Sequence, residues 1–203
     1  ERMQAGWMES ADDGIDAVIL VSTTLFGTLA VTLSLISKHL GFHAGVYWAQ
    51  SLTWASWVRV RVEGREHLRP GQSYVILSNH QGAYDILALY GFLGRQFRWV
   101  MKQELRKVPF LGWGCAAIGH IFVDRGNSSR AIASLEAAKS QLAGGVSVLF
   151  FPEGTRSDDG RLLPFKKGGF HMARQLNLPI LPVSIAGSNR ILPKACLFPR
   201  PGT

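Results

Sequence analysis

The stretch that decides the reading is Val146-Ser147-Val148-Leu149-Phe150-Phe151-Pro152-Glu153-Gly154-Thr155-Arg156-Ser157. Its first six residues are apolar apart from one serine and too few for a stable helix, so they predict a buried strand that stops at Pro152 and delivers a polar loop. Upstream, Tyr74 to Ser78 (YVILS) is a second such run, and it opens into Asn79-His80-Gln81-Gly82-Ala83-Tyr84-Asp85. Phe97 to Met101, His120 to Val123 and Ile180 to Ile185 read as further strands. Val58, Val60 and Val62 alternate with Arg59 and Arg61, as a half-exposed strand would. Helical patterns fall between them, over Tyr84 to Leu93, Phe110 to Ile118 and Gly168 to Leu176. A further helix is capped by Asn127 or Ser128, carries Ile132, Leu135, Ala138 and Leu142 on one face, and stops at Gly144 and Gly145. Strands alternating with helices predict an α/β fold whose central sheet is mixed, largely parallel, and flanked by helices.

The chain has 203 residues, enough for one ordinary domain with an appendage. Hydrophobic residues make up 47% and charged residues 18%, which excludes intrinsic disorder and leaves an apolar surplus to be placed. Cys115 and Cys196 form neither a disulfide framework nor a four-cysteine zinc site, so a reducing compartment is expected. The net charge of +8 is uneven: five of the fourteen acids precede residue 17, and the rest of the chain carries 21 bases against 9 acids. A body so basic attracts polyanions: nucleic acid, anionic lipid or phosphorylated small molecules.

Ala17 to Ser37 holds 21 residues without a charge, about 31 Å as a helix and close to the hydrocarbon thickness of a bilayer. An acidic stretch precedes it where a secretory signal would be basic. Ser22, Thr23, Thr24, Thr28, Thr32 and Ser34 dilute its hydrophobicity, so it is expected either to span a membrane or to lie in its interface. A second uncharged run, Leu40 to Val58, holds Tyr47, Trp48, Trp54 and Trp57, the residue types that settle at headgroup level. These features predict a membrane-associated helical hairpin over residues 1–58 and an α/β domain over 59–203. Arg59, Arg61 and Arg65 place the domain on the cytoplasmic side of any membrane that the hairpin crosses.

In such sheets ligands bind at the carboxyl ends of strands, which directs attention to the loops after YVILS, HIFV and VSVLFF. His80 and Asp85 are five residues apart and can meet where a loop turns into a helix, a turn that Gly82 permits. An aspartate on one imidazole nitrogen leaves the other a free base able to activate a hydroxyl. No serine or cysteine stands in a nucleophile-elbow context, which disfavours a covalent acyl-enzyme. His120 and Glu153 are the remaining metal-ligand candidates and lack ligand spacing. In the third loop a flexible glycine, a hydroxyl and a guanidinium stand together, and Arg156 can grip a phosphate bidentately. Arg125, Arg161, Lys166 and Lys167 add positive charge nearby.

These blocks resemble the 1-acylglycerol-3-phosphate acyltransferases. NHQGAYD looks like that family's histidine-x4-aspartate motif, GHIFVDR (Gly119 to Arg125) its second block, FPEGTRS its third and LPILPVSIAGS (Leu178 to Ser188) its fourth. Pro164 to Phe170 is similar to the stretch following the third block. Where the family commonly has serine two residues after the histidine, this chain has Gly82. Family members usually continue beyond the point matching Thr203, so the domain is expected to be truncated at its C-terminus.

The resemblance implies transfer of a fatty acyl group from acyl-CoA or acyl-ACP to the sn-2 hydroxyl of lysophosphatidate, giving phosphatidate for phospholipid synthesis. His80 would be the general base and Asp85 its orienter. Arg125, Glu153, Gly154, Thr155, Arg156 and Lys167 would bind the acceptor or fix the loop that does. No cofactor and no metal are implied, and the partners are the two substrates, membrane lipid and an acyl carrier protein. Alternatives are a sister acyltransferase using glycerol 3-phosphate or another lysolipid, and a non-catalytic protein that binds anionic membranes. A nucleic-acid binder fits the charge but lacks a reading motif.

Overall fold

The computed structural model describes residues 2–124, 126, 133–134, 136–139, 142, 144–157, 160–192, 199 and 202, with side chains of the first helix from Ala17 onward. Strands β1 (Val75–Ser78), β2 (Phe97–Lys102), β3 (Ile121–Val123), β4 (Ser147–Phe150) and β5 (Ile180–Val183) form one sheet in the order β3-β2-β4-β1-β5. Every pairing is parallel, so the expected mixed sheet is wholly parallel among the described residues. A short apolar strand buried on both faces suits this arrangement, since helices must cover both sides of a parallel sheet.

Helices α3 (Tyr84–Phe92) and α4 (Leu111–Ile118) carry the chain from β1 to β2 to β3. They pack on the face presented by Ile76, Phe97, Trp99 and Leu149. The return crosses the other face, where Ala138, Leu142 and, from α5 (Gly168–Leu176), Met172 and Ala173 cover Val75, Leu77, Ile121 and Val148. The period-two alternation of strand side chains sorts the apolar residues between these layers. Ala138 and Leu142 of the helix expected before Gly144 are buried there, whereas its N-cap candidates Asn127 and Ser128, and Ile132 and Leu135, lie outside the described residues. Crossovers leaving β1 and β4 go in opposite directions over opposite faces, which opens a crevice at the carboxyl ends of these two neighbouring strands.

Residues 59–64 are irregular, contrary to the strand expected from Val58 to Val62. Val58 makes one bridge, to Gly202, and packs against Tyr84 and Ile191. The alternation there records one-sided burial, with Arg59 and Arg61 exposed, and not a hydrogen-bonded ladder.

Ser37 alone separates α1 (Arg2–Ile36) from α2 (Lys38–Ala55), and its side chain caps α2 by accepting from the His39 amide. The two form the expected hairpin, tied by Trp48 Nε1 donating to Thr23 Oγ1 at 3.2 Å. The hydroxyls of Thr28 and Thr32 donate to carbonyls one turn back, which removes much of their polar cost. Ala30, Phe42, Ala44 and Ala49 join the core formed by α3, α4 and the sheet, while Val18, Val21, Leu25 and Leu29 face outward.

His120, just before β3, is buried between two elements. Its Nδ1 accepts from the Trp99 amide at 3.2 Å and its Nε2 meets the Tyr90 hydroxyl at 3.0 Å. Burial first, and then the Arg98 charge, push His120 down to about 3, so the folded protein holds it neutral. Once unfolded it protonates near 6.5, and the unfolded state binds the extra proton between about pH 6.5 and 3. Stability contributed by neutral His120 is therefore complete above pH 6.5 and falls as pH falls, by up to about 1.4 kcal/mol per pH unit. Urea unfolding at pH 7.5 and 5.0 should show a loss of about 2 kcal/mol from this group, absent in His120→Gln. Equal pH dependence in both proteins would contradict the assignment.

Candidate active site

The crevice between β1 and β4 is lined by two polar loops, one beginning at Asn79 and the other at Phe151. Asn79 extends the β1–β5 pairing by one side-chain step: its amide donates to the Ile185 carbonyl at 2.9 Å and accepts from the Ile185 amide at 2.7 Å. That clamp fixes the departure of the chain into His80 and ties the fourth block to the first.

His80 Nδ1 lies 2.7 Å from Asp85 Oδ2. The same oxygen accepts the amides of Gln81 at 2.7 Å and Gly82 at 3.0 Å. Asp85 is fully buried in the first turn of α3, where its negative charge also meets the positive end of the helix dipole. A carboxylate accepts only, so Nδ1 carries the proton and Nε2 keeps a lone pair. The His80 side chain is 14% exposed. Gly82 is required by approach: a Cβ there would stand 2.9 Å from the Leu192 carbonyl oxygen and 3.1 Å from that of Ser188.

Glu153 is buried, and both its oxygens are engaged by backbone. Oε1 accepts the His80 amide at 2.6 Å and Oε2 accepts the Leu163 amide at 2.8 Å. The Ser157 amide donates to the His80 carbonyl at 2.9 Å, so the two loops are stitched across the crevice. Of the two roles open to Glu153, binding the acceptor or fixing the loop, the geometry shows the second. Gly154 has φ +74, and a Cβ on it would lie 2.8 Å from Lys166 Nζ. The ammonium of Lys166 thus crosses the third-block loop, anchored by its own amide donating to the Pro152 carbonyl at 2.8 Å.

Arg156 is half-buried in this loop, Thr155 is exposed beside it, and Lys167 is exposed at the start of α5. Arg125 lies outside the described residues. Sequence reasoning leaves out of the binding set Lys166, whose ammonium lies over Gly154, and Lys102, the exposed last residue of β2. The strand-end rule alone would pick out Lys102. Among the described residues no three metal-ligating side chains gather. Burial pushes the Cys115 thiol up to about 12, far from a thiolate nucleophile.

A parallel α/β sheet presenting a histidine–aspartate pair opposite a basic loop defines a class, and the acyltransferase family model matches residues 59–186. The chain belongs to that family. It is 41% identical over 127 residues to 1-acyl-sn-glycerol-3-phosphate acyltransferase alpha of Homo sapiens, covering 62% of this chain and 45% of that protein. With 1-acyl-sn-glycerol-3-phosphate acyltransferase of Limnanthes douglasii it shares 34% over 194 residues, 91% of this chain and 66% of that one. The crystal structure of the 1-acyl-sn-glycerophosphate (LPA) acyltransferase PlsC from Thermotoga maritima superposes with a TM-score of 0.78 at 28% identity. That match covers 93% of this chain and 78% of the other. The chain spans about half the length of the curated relatives it matches first.

Proposed function

We propose that this chain transfers a fatty acyl group from a thioester of coenzyme A or acyl carrier protein to the sn-2 hydroxyl of 1-acyl-sn-glycerol 3-phosphate, forming phosphatidate. The observation that carries this reading is the 2.7 Å contact from buried Asp85 to His80 Nδ1, which leaves Nε2 as a base at the mouth of the crevice. Nε2 takes the proton from the acceptor hydroxyl as its oxygen attacks the thioester carbonyl, and Asp85 stabilises the imidazolium. The departing thiolate is a good leaving group and recovers that proton, so no resident cofactor has a step to perform. Relatives named 1-acyl-sn-glycerol-3-phosphate acyltransferases support the acceptor.

Arg156 and Arg125 bind the acceptor phosphate in this reading, and Lys166 and Lys167 raise the local positive potential. Losing a charge-assisted hydrogen bond costs roughly 1.5–3 kcal/mol, about ten- to a hundred-fold in affinity. Arg156→Ala should therefore raise the acceptor KM and leave the donor KM unchanged, and Arg156→Lys should restore only part, because a point charge lacks the bidentate fork. Lysophosphatidylcholine, with its phosphate capped, should be a poor acceptor for the unaltered protein. Equal rates with lysophosphatidate and lysophosphatidylcholine, or a change confined to the donor KM, would move the assignment to another lysolipid.

We further propose that residues 1–58 hold the enzyme on one leaflet of a membrane and that 59–203 carry the chemistry. Ala17–Ile36 is long and apolar enough to cross a bilayer, yet its middle is pressed against the body. A Cβ on Gly27 would lie 2.7 Å from the Phe110 carbonyl oxygen. A spanning α1 would drag α4 and the adjoining Arg106 and Lys107 into hydrocarbon, which is costly for charged groups. Lying in the interface buries the outward stripe of α1 together with Tyr47, Trp54 and Trp57. Flotation with anionic vesicles should carry the chain upward, and lipids brominated near the headgroup should quench Trp54 and Trp57 more than lipids brominated at the chain end. Deep quenching would instead indicate a span.

A further inference from the structure

The Phe151 ring lies parallel to the His80 imidazole, with centroids 3.8 Å apart and planes at 7°. Trp99 backs it at 5.4 Å, and Phe151 packs on the core cluster that includes Tyr90 and Phe97, so the phenyl face is held from behind. The imidazole is thus fixed along its Nδ1 edge by Asp85 and across one face by Phe151, and its Nε2 takes part in neither contact.

We propose that Phe151 is a positioning residue for acyl transfer, setting the plane of the His80 ring and stabilising through its π-face the imidazolium that forms when His80 takes the acceptor proton. This rests on His80 being the general base. In the step concerned the acceptor O–H bond breaks and its proton moves to Nε2 while the oxygen bonds to the acyl carbon. The C–S bond then breaks and the thiolate recovers the proton from Nε2. Positive charge resides on His80 only between these two transfers. A phenyl face carries the negative lobe of its quadrupole and attracts a cation stacked on it. Among the described residues, the carboxylates hydrogen-bonded to His80 are those of Asp85, from α3, and Glu153, from the loop after β4. Asp85 meets the ring at its edge and Glu153 meets only backbone amides, so the face-on contribution is that of Phe151. A leucine would be as apolar but would have no quadrupole and no flat surface against which the ring can lie.

The test compares the unaltered chain with Phe151→Leu, with Phe151→Tyr and with a series of progressively fluorinated phenylalanines at position 151, whose size hardly changes while the face loses negative charge. Lysophosphatidate acylation is followed from pH 5 to 9, beside His80→Ala. Phe151→Leu should lower kcat by roughly two- to thirty-fold with both KM values unchanged. The acid limb of its pH profile should move to lower pH, because the charged form has lost support. Phe151→Tyr should retain the normal rate and limb, and kcat should fall stepwise with fluorination even where the leucine variant is poorly folded. An acid limb and kcat that ignore fluorination, or a loss expressed in KM, would overturn the proposal. Normal turnover in His80→Ala would instead overturn the general-base reading, whatever the series at 151 shows.

Discussion

His80→Ala should lower kcat by roughly three orders of magnitude, within the range that a positioned general base contributes. The fold should survive, since the pins on residue 80 are made by its backbone: the amide to Glu153 Oε1 and the carbonyl from the Ser157 amide. Asp85 would keep the amides of Gln81 and Gly82. What disappears is the proton acceptor at the crevice mouth, and among the described residues no second histidine approaches it. His120, the other histidine of the motif blocks, is locked between Tyr90 and Trp99 with its charge state fixed by burial. Turnover by a folded His80→Ala above a tenth of normal would remove the assignment, with thermal unfolding of the variant as the control.

Asp85→Asn is expected to be nearly as damaging, on the order of a thousand-fold or more, and also to cost stability. Asp85 Oδ2 accepts from three donors at 3.0 Å or less, and an amide cannot reproduce that with its nitrogen. If the new NH2 group faces the cluster, two backbone donors are left opposed and His80 must release its Nδ1 proton, which moves the proton to Nε2 and abolishes the base. If the amide oxygen faces it, the tautomer is kept but the imidazolium has lost its counter-charge. Either orientation loses a buried charge-assisted network in which each bond is worth roughly 1.5–3 kcal/mol. A kcat within tenfold of normal would show that Asp85 supports the turn into α3 without orienting the base.

Much of this arrangement is legible in the sequence for a physical reason. YVILS and VSVLFF are short runs buried on both faces, which only the interior of a layered sheet accommodates, and each ends on the polar loop that supplies the chemistry. That most strands run parallel follows from the helical patterns between them, but the wholly parallel sense and the strand order do not, because they depend on where each crossover returns. The pair His80 and Asp85 is legible because a loop-to-helix turn joins them locally. For Glu153 the sequence leaves two roles open, acceptor binding or fixing the loop, because a carboxylate in a strand-end loop is ordinarily exposed and its partners are not local. Its true partners, the amides of His80 and Leu163, lie 73 and 10 residues away and carry no sequence signal. The same holds for Phe151: an aromatic beside a strand end reads as core, and only the folded arrangement stacks it on the His80 imidazole. At Val58 to Val62 the period-two signal is real but reports burial against Tyr84 and Ile191, not pairing.

Formation of phosphatidate by base catalysis at His80, as proposed, is tested most directly by incubating the purified chain with lysophosphatidate and oleoyl-coenzyme A or oleoyl-acyl carrier protein, with mass spectrometry of the lipid product. Phosphatidate acylated at sn-2 should appear with at least one donor and fall to background in His80→Ala. Formation of the same product by the folded variant at the normal rate, or its absence from the unaltered chain with both donors, would contradict that claim.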